Sequence, residues 1–174
     1  MRKFLDTLYT ASGFAAAGFI VFICLVVSAQ VVLNLITKIF GSAYSMTIPS
    51  YADFAGFSLA AASIMALAYT LKQGGHIRVT LLLQTFGHIP RLGAELFSLG
   101  LGTGLSGYAT YYMIRMNYDS YYYGDLSNGI VAIPLWIPQL ATSAGLLMLT
   151  IAFIDLFVET IIARAPVLEN MEQE

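Results

Sequence analysis

The sequence contains two histidines, His76 and His88, which are its only imidazoles. Paired histidines can ligate haem when they project from helices into a bundle core. These two lie twelve residues apart within one connection between apolar segments, and no cluster of carboxylates or thiols accompanies them. We therefore expect no haem, no metal site and no other cofactor. His76 is better suited to donate hydrogen bonds to backbone carbonyls that the adjacent Gly74 and Gly75 leave free.

The acidic residues lie at the ends of apolar segments. Asp53 and Glu95 each fall near the start of one, where a carboxylate suits the positive end of a helix dipole. Asp155 and Glu159 lie one turn apart near the end of the last segment; either they emerge into the interface or they face a cation, for which Arg78 is the candidate. Ion-coupling and catalytic membrane proteins usually carry ionisable residues at mid-span. The span centres contain none, so we do not predict an enzyme.

The composition indicates an integral membrane protein. Of 174 residues, 58% are hydrophobic and 10% are charged, and the mean hydropathy is +0.75. Soluble domains carry roughly a quarter charged residues. The net charge of −2, with no basic patch, argues against nucleic acid as a partner. The single cysteine, Cys24, lies within an apolar run and is interpreted as a buried structural thiol.

The apolar segments predict an all-α membrane protein with four transmembrane helices and a short interfacial amphipathic helix between the second and third. Asp6 and Lys38 bound 31 uncharged residues, more than the ~20 a span needs. This length favours a retained span over a signal peptide, although residues 27–29 resemble a cleavage site. We predict one membrane domain, residues 1–174, with an acidic tail at 165–174 and spans at about 8–36, 52–71, 95–115 and 133–160.

Residues 72–91, here called the elbow, connect the second and third spans. Gly74 and Gly75 break the preceding helix. Apolar residues then recur at helical spacing up to Pro90: Val79, Leu82, Leu83 and Phe86. A short helix with one apolar face and cationic ends is expected to lie along the cytoplasmic surface of the bilayer.

Small residues recur at four-residue spacing in the second and third spans. They form the ridges Ala52-Gly56-Ala60, Gly100-Gly104 and Ser98-Gly102-Ser106. Such ridges let helix backbones approach closely in lipid, where no hydrophobic effect joins helices. Gln30 and Asn34 share one face near the outer end of the first span, where they suit bonding between helices. The sequence therefore predicts helices built to pack closely.

Aromatic residues and prolines mark the outer interface. Tyr121, Tyr122 and Tyr123 belong to a polar, tyrosine-rich segment, and Pro134, Trp136 and Pro138 open the last span. An interfacial aromatic belt explains them, and contact with a partner is the alternative. With four spans and an inner N-terminus, six Lys/Arg residues lie inside and two outside, which favours cytoplasmic N- and C-termini.

The hexapeptide Gly74-Gly75-His76-Ile77-Arg78-Val79 resembles the element that follows the second span in the small membrane subunit of tripartite ATP-independent periplasmic (TRAP) transporters, the DctQ-like family. Asp53 and the proline-flanked Trp136 also match that family, and the likeness covers roughly residues 10–163. One departure is Thr80, where the family often has Asp, so this chain has no carboxylate at that position for an ion pair.

The resemblance implies a non-catalytic subunit in the bacterial inner membrane. Its partners would be a large DctM-like membrane subunit, which holds the substrate and sodium sites and moves as an elevator, and a DctP-like periplasmic protein that delivers an organic acid. The small subunit would brace the static scaffold of the large one, in contact with membrane lipids. The alternatives are an autonomous four-helix transporter acting as a homo-oligomer, with Asp53 as its essential acid, and a haem or quinone anchor.

Overall fold

A computed structural model of the chain describes residues 2–41, 46–73 and 88–163. The described chain is helical, and each predicted span overlaps one helix. The helices are α1 (Arg2–Phe40), α2 (Tyr51–Lys72), α3 (His88–Tyr123) and α4 (Trp136–Ala163). Residues 74–87 of the elbow, including the whole hexapeptide, and the tail at 165–174 lie outside the described residues.

Three of the described helices, α1, α2 and α4, are long and apolar enough to cross a membrane. Helix α3, with 36 residues, is long enough to cross a membrane, but it is not among these three candidate spans. Its sequence is rich in glycine, serine, threonine and tyrosine, which contribute little hydropathy. Three candidate spans therefore follow from the structure, and the membrane crossing of α3 stays a prediction.

The helices form a zigzag row in the order α1, α2, α4, α3. α2 packs along both α1 and α4, and α3 packs along α4, so that α1 and α3 lie at opposite ends of the described part of the chain. All four helices contribute to one buried apolar cluster, whose members are Tyr9, Ala68, Leu71, Leu99, Leu149, Ala152 and Leu156. Tyr9 and Ser12 are buried near the start of α1, and Ser12 Oγ donates to the Met65 carbonyl at 2.5 Å.

Glycines set the close approaches between helices. A Cβ at Gly145 of α4 would lie 3.0 Å from the backbone nitrogen of Met65 on α2. A Cβ at Gly102 of α3 would lie 2.6 Å from the ring of Phe153 on α4. The prediction of close packing through small residues is confirmed at Gly102, whereas Gly145 lies outside the predicted ridges.

The ridge Ala52-Gly56-Ala60 differs, because all three residues are exposed and nothing lies within 4 Å of a Cβ at Gly56. Gly104 is likewise exposed with open space around it. These residues point away from the helices that flank them. Their spacing predicted a packing face, but no described element of this chain covers it.

The parallel helices α2 and α4 are in register. Nineteen residues separate Asp53 from Lys72 on α2, and nineteen separate Trp136 from Asp155 on α4. At 1.5 Å per residue both intervals span about 28 Å, close to the ~30 Å hydrocarbon core of a bilayer. The polar residues at both ends of this pair therefore define two levels suited to the two membrane surfaces.

Helix α1 continues past the outer level. Gln30 is buried, donates to Asn34 Oδ1 at 2.9 Å and accepts from the backbone nitrogen of Ile48 at 2.8 Å. This bond places Gln30 beside the segment that leads into α2, so the predicted polar pair ties α1 to a linker. The ten residues that follow extend about 15 Å farther and expose large apolar side chains: Val31, Val32, Leu35, Ile36, Ile39 and Phe40.

Candidate functional site at the two ends of the helix row

A charged cluster joins three helices at one end of the row, where α2 and α4 end. Lys72 Nζ on α2 lies 3.2 Å from Asp155 Oδ2 and 3.4 Å from Glu159 Oε2, both on α4. Tyr9 of α1 donates its hydroxyl to Asp155 Oδ2 at 3.4 Å. The charged side chains are only 16–21% exposed, so water screens them less than it screens surface pairs. The cluster fixes α1, α2 and α4 to one another.

The cluster decides between the two interpretations of Asp155 and Glu159. They face a cation, and that cation is Lys72; Arg78, the candidate named from the sequence, lies outside the described residues. Sequence reasoning did not identify Lys72, because it favoured Arg78 of the elbow as the partner of these carboxylates. The available signal was that Lys72 and Asp155 both end an apolar segment on the same predicted side of the membrane.

Residues 124–135, here called the outer loop after the topology predicted from the sequence, form a compact unit between α3 and α4. Ser127 N donates to the Ile133 carbonyl at 2.8 Å, and Leu135 N donates to the Asp125 carbonyl at 3.0 Å. The Ser127 hydroxyl accepts from Ile133 N at 3.0 Å and donates to the Val131 carbonyl at 3.2 Å. These bonds satisfy much of the loop backbone internally, so the loop holds its own shape.

The outer loop also contacts the start of α2. Ser50 occupies the N-cap position, but its hydroxyl accepts from Val131 N of the loop at 2.9 Å and makes no cap bond. Gly129 lies directly against the Asp53 carboxylate, which fills the space that a Cβ would need. The predicted place of Asp53 in the first turn of α2 is thus confirmed, and its carboxylate faces the loop.

Aromatic side chains cluster where α3 ends and α4 begins. Tyr121 meets Trp136 edge to face with ring centroids 5.7 Å apart, and Asn117 Nδ2 donates to the Trp136 carbonyl at 3.2 Å. An open groove of about 360 Å³ lies beside this contact, lined by Ile114, Asn117, Tyr118, Tyr121, Trp136, Leu140 and Ser143. Tyr122 and Tyr123 are largely exposed. Such an arrangement suits an interfacial aromatic belt.

The structure brings most of the predicted outer residues to one end of the row. Pro134 pairs with Leu126 across the outer loop, and Pro138 lies in the first turn of α4. The six residues of the family hexapeptide, Gly74, Gly75, His76, Ile77, Arg78 and Val79, lie outside the described residues, as does Thr80. Their roles stay predictions.

Two sequence expectations are wrong. Cys24 is exposed, because α1 packs along α2 through one face and Cys24 lies on another. Glu95 is not at a helix start: α3 begins at His88, and Glu95 is buried about two turns later, at 8% exposure. Within the described ranges, no group of three or more His, Cys, Asp or Glu residues could hold a metal ion.

The fold and these polar clusters define a helical membrane protein in which the Lys72 cluster ties three helices together. The family model described as "Tripartite ATP-independent periplasmic transporters, DctQ component" matches residues 23–162, well over half of the chain. The chain belongs to this family and is the small subunit of a TRAP transporter. No curated protein and no solved structure matches it significantly.

Proposed function

We propose that the chain is a non-catalytic brace for the static scaffold of a large DctM-like membrane subunit. The transporter would use a sodium gradient to take up an organic acid that a DctP-like periplasmic protein delivers. The observation that carries the proposal is the exposed ridge Ala52-Gly56-Ala60 on α2, the helix that packs between α1 and α4. DctQ proteins work with DctM and DctP components in TRAP systems, which supports the choice of partners.

The ridge suits a second protein better than it suits lipid. Ser63 is exposed on the same face of α2, as are the larger Leu59 and Leu67. The exposed face of α1 carries more large side chains than that of α2, among them Phe14 and Phe22. Small residues let a neighbouring helix come close enough for backbone contact, which is the main source of attraction between helices in lipid. We infer that a helix of the large subunit packs on this face.

The polar ties support a bracing role. The Lys72 cluster at one end and the hydrogen bond from Val131 N to Ser50 at the other connect α2 and α4 over about 28 Å. A transport domain that moves as an elevator needs a partner that does not deform with it. A pair of helices fixed at both ends has the stiffness that this role requires.

We place both termini in the cytoplasm of a bacterial cell, with the protein in the inner membrane. The Lys72 cluster then lies at the cytoplasmic surface beside the elbow, where His76 and Arg78 would contact lipid headgroups or the large subunit. The outer loop and the tyrosines of α3 face the periplasm. No Lys or Arg occurs between residues 116 and 163, whereas Asp119 and Asp125 are exposed there. This acidic, aromatic surface suits a basic patch on the binding protein.

The test is co-purification with the large subunit. Gly56→Leu and Ala60→Leu should greatly reduce recovery of the complex and sodium-driven uptake, because a bulky side chain on the ridge blocks close approach. Val21→Leu, on the exposed face of α1, is the matched control and should leave both unchanged. Full recovery of complexes carrying Gly56→Leu, or solute transport by this chain alone in proteoliposomes, would contradict the proposal.

A further inference from the structure

Ser50 and Asp53, at the start of α2, contact the outer loop at Val131 and Gly129, beside the exposed tip formed by Asn128 and Ile130. We propose that these two side chains are positioning residues: they hold the outer loop in one arrangement, so that its tip is presented as a fixed surface to the periplasmic binding protein. The second part of this inference depends on the proposed function, and the first does not.

The Ser50 side chain forms a hydrogen bond with the distant outer loop and none with the first turn of its own helix. A serine at an N-cap ordinarily accepts a hydrogen bond from a backbone N–H of the first helical turn. Here the Ser50 hydroxyl accepts from Val131 N, 81 residues away in sequence, and the residue has φ +57. A non-glycine residue rarely adopts this left-handed conformation, and it persists where the surroundings determine it. The start of α2 is therefore shaped to meet the outer loop.

Asp53 and Gly129 fit each other closely. A Cβ on Gly129 would overlap the Asp53 carboxylate and lie 2.7 Å from Ser50 Oγ. Gly129 does not have a left-handed φ, so the position calls for glycine because of space and not because of backbone conformation. Asp53 lies in the first turn of α2, where the helix dipole stabilises its negative charge. The carboxylate is thus held in place from both sides.

The contacts of Ser50 and Asp53 with the outer loop also restrict the position of the exposed tip of the loop. Because its hydrogen bonds make it one unit, contacts at Gly129 and Val131 fix the positions of the residues beside them. Ile130 lies between these two contacts and is 88% exposed, and Asn128 is exposed on the other side of Gly129. A large apolar side chain held rigidly in water is a good anchor for a protein partner, because little conformational entropy is lost on binding.

Asp53 as a positioning residue differs from Asp53 as a direct contact of the partner. As a direct partner contact, its carboxylate would have to face outward, but it is partly buried behind Gly129. As a positioning residue, it acts through the loop. Substituting Asp53 should therefore change how readily the binding protein engages, while transport at saturating binding protein continues.

The first experiment measures the loop itself. In a Cys24→Ser background, a nitroxide is attached at Ile130→Cys, and the chain is reconstituted with the large subunit in nanodiscs. Asp53→Ala and Gly129→Ala should each increase the mobility of the label in the electron paramagnetic resonance spectrum. Asp119→Ala, an exposed acid on α3, is the matched control and should not. Unchanged mobility in the first two variants would overturn the proposal.

The second experiment measures uptake against the concentration of binding protein, with unlabelled subunits. Asp53→Ala should raise the half-saturating concentration roughly three- to tenfold, as expected when a preorganised surface is loosened, and leave the maximal rate unchanged. A lower maximal rate with the same half-saturation would contradict a positioning role. If the wild-type complex shows no sodium-driven uptake, the proposed function fails, and the spectra still decide whether Asp53 holds the loop.

Discussion

The ammonium group of Lys72 lies 3.2 Å from the carboxylate of Asp155, across 83 residues of sequence and between two parallel helices. Parallel neighbours cannot be joined by a short turn, so α2 and α4 need other means of keeping their register. The ion pair keeps the register at one end of these two helices, and the hydrogen bond from Val131 N to Ser50 keeps it at the other end. The helices between these points pack mainly through small and apolar residues.

Lys72→Met should destabilise the subunit by about 2 kcal/mol, between the ~1 kcal/mol of an exposed ion pair and the ~3–5 kcal/mol of a fully buried one, because it leaves two partly buried carboxylates without this cation. Thermal unfolding in detergent, followed by fluorescence, measures the effect. Adding Asp155→Asn should restore part of the loss, since one uncompensated charge is removed. Lys38→Met, at an exposed position on α1, is the control. Equal melting temperatures for Lys72→Met and the control would show that the cluster does not hold the helices.

Gly13→Ala should destabilise the packing of α1 on α2. The added methyl would lie 2.9 Å from the ring of Tyr69, and relieving such overpacking typically costs about 1–3 kcal/mol. Gly18, five residues along the same helix, has nothing within 4 Å of its Cβ position, so Gly18→Ala should be neutral or slightly stabilising. The melting temperatures of the two variants decide the matter. If they shift equally, α1 does not pack on α2 as described.

A second glycine pair tests the contact between α3 and α4. Gly102→Ala would press on the ring of Phe153 and should lower stability by about 1–3 kcal/mol, whereas Gly104→Ala meets open space and should not. Both variants are measured as the isolated subunit and again in complex with the large subunit. A loss confined to the complex for Gly104→Ala would identify Gly104 as part of the interface between subunits.

Cys24 should resist a charged maleimide in intact bilayers. It is exposed from the helix row in the middle of an apolar span, where lipid or a partner surrounds it and a charged reagent does not enter. Ile130→Cys in a Cys24→Ser background should react rapidly, because this residue projects from the outer loop. Labelling is read by mass spectrometry. Rapid modification of Cys24 in bilayers would show that this face of α1 meets water.

The helices themselves could be predicted from the sequence because long uncharged segments leave few other structures possible in a membrane. Contacts between helices could not. Ala52-Gly56-Ala60 and Ser98-Gly102-Ser106 have the same spacing, yet Gly102 packs on Phe153 and Gly56 faces outward. The four-residue spacing shows that one helix face consists of small residues, but it does not show which neighbour packs on that face.

The polar contacts between helices could not be predicted from the sequence either. The dipeptide Asn128-Gly129 indicates a turn, but nothing local shows that Gly129 meets Asp53 on another helix. Asp155 and Glu159 were expected either to emerge at the interface or to face a cation, and choosing Lys72 required knowing that α2 and α4 run side by side. The outer aromatic cluster was easier to predict, because Trp and Tyr favour the interface whatever their neighbours are.

The equal distance from Asp53 to Lys72 and from Trp136 to Asp155 has a consequence for lipid choice. Both helices expose the same length of apolar surface, so lipids with longer acyl chains would draw the Lys72 cluster and the outer loop toward hydrocarbon together. Tilting cannot relieve this, because a tilted helix spans less of the bilayer thickness, and the two helices are tied at both ends. The subunit should therefore work best in bilayers of matching thickness, and its activity should fall in thicker ones.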